Sequence, residues 1–81
     1  MQVTAKFFSL DRATIGKDQL TVELPDGSTI RQLIQAIQQE FSAFKTTQGG
    51  IHFLVNQVNA NLDTVLHEGD EILFLRQLSG G

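Results

Sequence analysis

Apolar and polar residues alternate from the start of the chain, where Val3, Ala5 and Phe7 interleave with Gln2, Thr4 and Lys6. A period of two is what a strand with one buried face requires, because successive side chains point to opposite sides of a sheet. Leu20, Val22 and Leu24 repeat the pattern around Thr21 and Glu23, and Pro25-Asp26-Gly27 ends it with residues suited to a turn. These two segments predict an opening hairpin. Residues 9–18 are polar, include Gly16 and Asp18, and read as its connection.

After Gly27 the period lengthens to 3.6. Ile30, Leu33, Ile34, Ile37 and Phe41 fall on one helical face, with Arg31, Gln32, Gln35, Gln38 and Gln39 opposite. Thr29 followed three residues later by Gln32 is a capping-box pattern, so the helix is predicted to start there and run to about Phe41. Residues 42–50 carry the weakest pattern, and Gly49-Gly50 suits a turn. A third strand follows, with Ile51, Phe53 and Val55 alternating with His52, Leu54 and Asn56. Residues 58–66 are interrupted by Asn59, Asn61 and Asp63 and predict a short edge strand or turns. His67-Glu68-Gly69-Asp70 predicts a tight turn with Gly69 at positive φ, and residues 71–75 the last strand.

The order strand, strand, helix, strand, short element, strand predicts an α+β domain. We expect a β-grasp (ubiquitin-like) roll, a mixed four- to five-stranded sheet packed on one main helix. A β-grasp domain over residues 1–75 would carry a tail of residues 76–81 ending in Gly-Gly. One helix covers one sheet face. If Phe7, Phe53, Val55, Ile72 and Phe74 face the helix, then Phe8, Leu54, Leu73 and Leu75 face the other way. That apolar group predicts a protein interface, the alternative being that loops or the 9–18 connection cover it.

At 81 residues the chain is one domain, and its 41% apolar content with a single proline describes a folding sequence. The absence of cysteine removes disulfides, thiolate nucleophiles and Cys-ligated metals from consideration. The net charge of −3, with lysines and arginines scattered between Lys6 and Arg76, argues against a nucleic-acid partner. The opening residues lack a basic lead followed by an apolar segment, and no stretch approaches the ~20 apolar residues of a membrane helix. A cytoplasmic location without membrane association is expected. His52 and His67 stand at no familiar metal-ligand spacing. The acidic group Glu68, Asp70 and Glu71 reads as a solvated turn, and no serine or threonine has an activating partner in a recognisable motif. No self-contained active site is expected.

The tail is different. Glycines have no Cβ, so Gly80 and Gly81 can pass through a slot only as wide as backbone. Extended at about 3.3 Å per residue, residues 76–81 reach roughly 20 Å, far enough to place the Gly81 carboxylate inside another protein while the body stays outside. Gly81 is a candidate reacting residue on this reading, with Gly80 keeping the passage narrow; a frayed glycine end or a linker is the alternative reading of the same residues. Phe8, Leu54, Leu73, Leu75, Arg76 and Leu78 are the candidate partner-interface residues.

Val55-Asn56-Gln57, Leu66-His67-Glu68-Gly69-Asp70-Glu71-Ile72, Phe74, Ser79-Gly80-Gly81 and the opening Lys6-Phe7-Phe8 together resemble the small subunits of molybdopterin synthase. The resemblance covers essentially the whole chain and implies a sulfur carrier in molybdenum cofactor biosynthesis. An adenylating enzyme would use ATP to activate the Gly81 carboxylate, and a sulfur donor system would convert the acyl-adenylate to a thiocarboxylate. The tail would then enter the molybdopterin synthase large subunit, in a heterotetramer, and deliver sulfur to the pterin precursor. The carrier itself would bind no cofactor. Many members of that family place prolines after the last strand, where this chain has Arg76-Gln77. Arg76 would either meet an acidic groove on a partner or be solvated, the latter being the expectation. Carriers of thiamine thiazole synthesis share the fold and the Gly-Gly end. An interaction module with an unactivated tail, or conjugation of the tail to lysines, would use the same surface or the same chemistry.

Overall fold

The computed structural model describes residues 1–45 and 51–76. The predicted Gly49-Gly50 turn and the tail beyond Arg76 lie outside them. Five strands and two helices occur in the order β1 (Gln2–Phe7), α1 (Ser9–Ile15), β2 (Gln19–Glu23), α2 (Ile30–Glu40), β3 (Ile51–Val55), β4 (Val58–Ala60) and β5 (Glu71–Arg76). The strands form one sheet in the order β2-β1-β5-β3-β4. β1 and β5 are parallel, and the other neighbours are antiparallel. This is the expected mixed roll, with the last strand of the sequence at its centre.

Alternation decides which side chains form the core. Val3, Ala5 and Phe7 of β1 and Ile72 and Phe74 of β5 are buried, and they meet Ile30, Leu33, Ile34 and Ile37 of α2 in one cluster. α2 starts where the capping pattern places it, with the Thr29 backbone N–H donating to Gln32 Oε1 at 2.8 Å. Its first free N–H groups find partners outside the helix: Ile30 donates to the Thr64 carbonyl at 3.1 Å and Arg31 to the Leu62 carbonyl at 3.0 Å. The interrupted segment after β3 thus supplies a three-residue edge strand and then a cap for the main helix. Gly69 takes a φ of 82°, as the turn before β5 requires.

Two segments depart from the sequence reading. Residues 9–18 are not a plain connection, because Ser9–Ile15 is helical and ends on Gly16 in the left-handed conformation. The helix has two turns and buries Ile15 and Asp11, so its inward face alternates in chemistry and leaves no apolar stripe to detect. The second is the stretch after α2, where Phe44 is almost fully buried. Its ring meets Phe7 edge-on at 5.6 Å and Phe74 edge-on at 5.5 Å, while Phe7 and Phe74 stack at 5.7 Å. Aromatic pairs prefer such edge-to-face and offset arrangements. The Gln38 side chain fixes the loop by donating to the Phe44 carbonyl at 3.1 Å.

Candidate functional site: the outer sheet face and the root of the tail

β5 builds both parts of the site. Its even-numbered residues Ile72 and Phe74 point into the core, which leaves Leu73 and Leu75 on the opposite face. Strand register then brings the predicted apolar residues together. Leu54 lies across from Leu73, and His52 across from Leu75. On the other side Lys6 is the neighbour of Leu73. Phe8 continues β1 in extended geometry, which carries its side chain to the same face, where it is 42% exposed. Leu54, Leu73 and Leu75 are half-buried. Lys6 and Glu71 form an ion pair at 3.3 Å beside this group. The patch is suited to burial against another protein, with a charged margin to orient it.

Arg76 does not share that face. It continues the inward parity of Ile72 and Phe74, and its guanidinium is neither solvated nor directed outward. Nε donates to Asp11 Oδ1 at 2.9 Å, and Nη2 lies 2.9 Å from the same oxygen. Nη2 also donates to the Lys45 carbonyl. The Asp11 side chain is 3% exposed and that of Arg76 20%, so the expectation of a solvated arginine is overturned. The partners come from α1 and from the loop after α2. Neither segment had a pattern that pointed to Arg76, and an acidic residue in a short polar stretch was the only available sign.

The start of β5 is held differently. Asn56 lies in the β3–β4 hairpin turn, where Asn56 and Gln57 both have positive φ, 49° and 70°. That geometry matches the right-handed twist of the flanking strands. The Asn56 side chain donates to Asp70 Oδ1 at 2.9 Å and accepts from the Glu71 backbone N–H at 3.0 Å. Asp70 Oδ2 accepts from the His67 backbone N–H at 2.8 Å. Asp70 is therefore a structural acceptor rather than part of a solvated acidic turn. Glu68 is also engaged, accepting from the Gln2 backbone N–H at 2.9 Å. His52 sits on β3 and His67 in the turn before β5, 3.9 Å from Asp70. Among the described residues no group of three His, Asp or Glu side chains converges as a metal site would require. The candidate residues Leu78, Gly80 and Gly81 lie outside the described residues.

Residues 5–81 match the model of the ThiS family. The molybdopterin synthase sulfur carrier subunit of Mycobacterium tuberculosis is 35% identical over 60 residues, which is 74% of this chain and 72% of that protein. A Pyrococcus furiosus structure described as molybdopterin converting factor subunit 1 superposes with a TM-score of 0.85 at 26% identity, covering 96% of this chain and 99% of that one. A complex of subunits 1 and 2 of the molybdopterin-converting factor from Helicobacter pylori contains a chain that superposes with a TM-score of 0.67 at 28% identity, with both chains fully covered.

Proposed function

The chain belongs to the ThiS family, and from that premise we propose that it is the sulfur carrier subunit of a molybdopterin synthase. The observation that carries this reading is the 35% identity to a curated sulfur carrier subunit, together with a family match that runs through Gly80 and Gly81.

The chemistry follows from the limits of a carboxylate. Its carbon is a poor electrophile because the leaving group would be an oxide. An adenylating enzyme removes that obstacle: a Gly81 carboxylate oxygen attacks the α-phosphorus of ATP, pyrophosphate leaves, and the acyl carbon acquires AMP as a leaving group. Hydrosulfide-level sulfur supplied by a donor system then attacks the acyl carbon, the bond to AMP breaks, AMP leaves with the electron pair, and loss of the sulfur-bound proton leaves a thiocarboxylate with no change of oxidation state. Sulfur passes from there to the pterin precursor held by the large subunit. The side chains that assist these steps belong to the partners. This chain contributes a tail of backbone width and the Phe8, Leu54, Leu73 and Leu75 surface that docks it. The subunit 1 and 2 complex of the Helicobacter pylori relative supports a large subunit as the docking partner; a heterotetramer in the cytoplasm is part of the proposal.

The test is intact-mass spectrometry after incubation with an adenylating enzyme, ATP and a sulfur donor. Replacement of one oxygen by sulfur, mapped to Gly81, is the expected result. Deleting Gly81 should abolish the gain and leave the melting temperature unchanged. Leu73→Asp should lose binding to the large subunit while keeping a cooperative melt. An unchanged mass, with the enzyme active on another carrier, would refute the reading.

A further inference from the structure

The root of the tail has a feature that neither the fold nor the apolar patch explains. Beyond Phe74 the last strand loses one neighbour. Its pairing with β1 ends at Phe7 and Phe74, whereas pairing with β3 continues to Ile51 and Arg76. Among the described residues, Leu75 and Arg76 are thus held by backbone pairing on one side, and a strand end of that kind frays readily. The Arg76 side chain crosses to Asp11 of α1 and to the Lys45 carbonyl, so three separate segments meet at the last described residue of β5.

We propose that Asp11 and Arg76 are a positioning pair, which fixes the place and direction from which the tail leaves the body and so sets the reach of Gly81. The functional consequence rests on the sulfur-carrier reading; the clasp itself rests on the geometry. An ion pair this deeply buried gains little stability over an apolar pair of the same size, because desolvation offsets the attraction. What charge adds is direction. Nε and Nη2 both address Oδ1, and Nη2 also addresses the Lys45 carbonyl, which fixes the guanidinium in orientation as well as position. From Arg76 the remaining five residues span roughly 17 Å when extended. Fraying back to Phe74 would add two residues to the segment between the last paired residue and Gly81 and dilute that end at the receiving site, on the order of twofold from length alone. Loss of direction adds to that dilution.

The pair therefore acts on capture of the tail and not on the acyl chemistry. The experiment is steady-state thiocarboxylate formation with the adenylating enzyme, ATP and a sulfur donor, using the wild-type chain, Asp11→Asn, Arg76→Lys and Asp18→Asn. Asp18 is a control on the same side of the molecule, since it pairs with Arg12 of α1 at the surface, 3.6 Å away, without touching Arg76. Asp11→Asn should raise KM for the carrier about threefold with kcat unchanged, Arg76→Lys should fall between it and wild type, and Asp18→Asn should match wild type. A folded Asp11→Asn chain with wild-type KM, or one that loses only kcat, would overturn the proposal. Backbone order at Leu75 and Arg76 gives an independent readout. The wild-type amides should have order parameters near about 0.85 and the Asp11→Asn amides below roughly 0.6. Values already low in the wild type would overturn the clasp even if the variant failed to fold. If the wild-type chain gains no sulfur, the carrier reading fails while the order parameters still decide the clasp.

Discussion

The two ends of β5 are fastened by opposite means. At Glu71 the strand is held by a neutral amide and a carboxylate that exchange bonds with backbone groups, and both Asp70 oxygens have donors. At Arg76 it is held by a charged pair in which Asp11 Oδ1 takes the guanidinium and Oδ2 has no partner among the described residues. The first arrangement completes backbone hydrogen bonding around a hairpin and a turn, and any fold with that corner has use for it. The second completes nothing in the sheet. It joins a helix, a loop and a strand end that have no backbone reason to meet. A satisfied polar corner belongs to the architecture, whereas a buried ion pair at a strand end is a specification laid over it.

That contrast predicts a ranking of stabilities. The largest loss should come from Phe44→Ala, which empties the aromatic floor beneath the Arg76 end. About 3–5 kcal/mol is expected, measurable by denaturant unfolding, and a loss under about 1 kcal/mol would mean that the loop carrying Phe44 can collapse onto the gap. Next comes Asp11→Ala, at about 3 kcal/mol, because it strands a mostly buried guanidinium. Adding Arg76→Leu to Asp11→Ala should recover much of that loss; no recovery would show that packing by Asp11, and not charge, holds the end. The smallest effect belongs to Asn56→Ala, about 1–3 kcal/mol, since part of the Asn56 network lies near solvent and water can replace it. Amide exchange should localise this change to Glu71 and the β3–β4 turn. If Asn56→Ala proved costlier than Asp11→Ala, the ranking of the two ends would be reversed.

The same contrast explains what could be read in the chain. Four of the strands and α2 were legible because each carries a period, of two or 3.6, over a sufficient run. The Phe8, Leu54, Leu73 and Leu75 grouping was legible for the same reason, since parity fixes a sheet face once the strands are placed. The Arg76 end was not legible. Asp11 sits in a helix too short to show a period, and it takes an inward position that patterning reserves for apolar residues. Phe44 is a single aromatic in a polar stretch, with no partner at helical or strand spacing. Isolated core residues of this kind are defined only by tertiary packing. The prolines expected from resemblance drew attention to position 76, yet nothing local to Arg76 named Asp11, which lies 65 positions earlier.

The central place of β5 also governs how the molecule comes into being. The strand in the middle of the sheet is the last of the five in the sequence, and it joins a hairpin made from β1 and β2 to another made from β3 and β4. Until residues 71–76 are present, the two hairpins have no strand between them, and the parallel pairing with β1 closes a loop of more than sixty residues. Such long-range closure makes folding slow compared with helical domains of similar size. A chain cut just before Glu71 would leave two marginal hairpins and an unsupported helix instead of a smaller stable domain. Completion of the body therefore waits on the end of the sequence: the residues that close the sheet, 71–76, come after every other element of the fold.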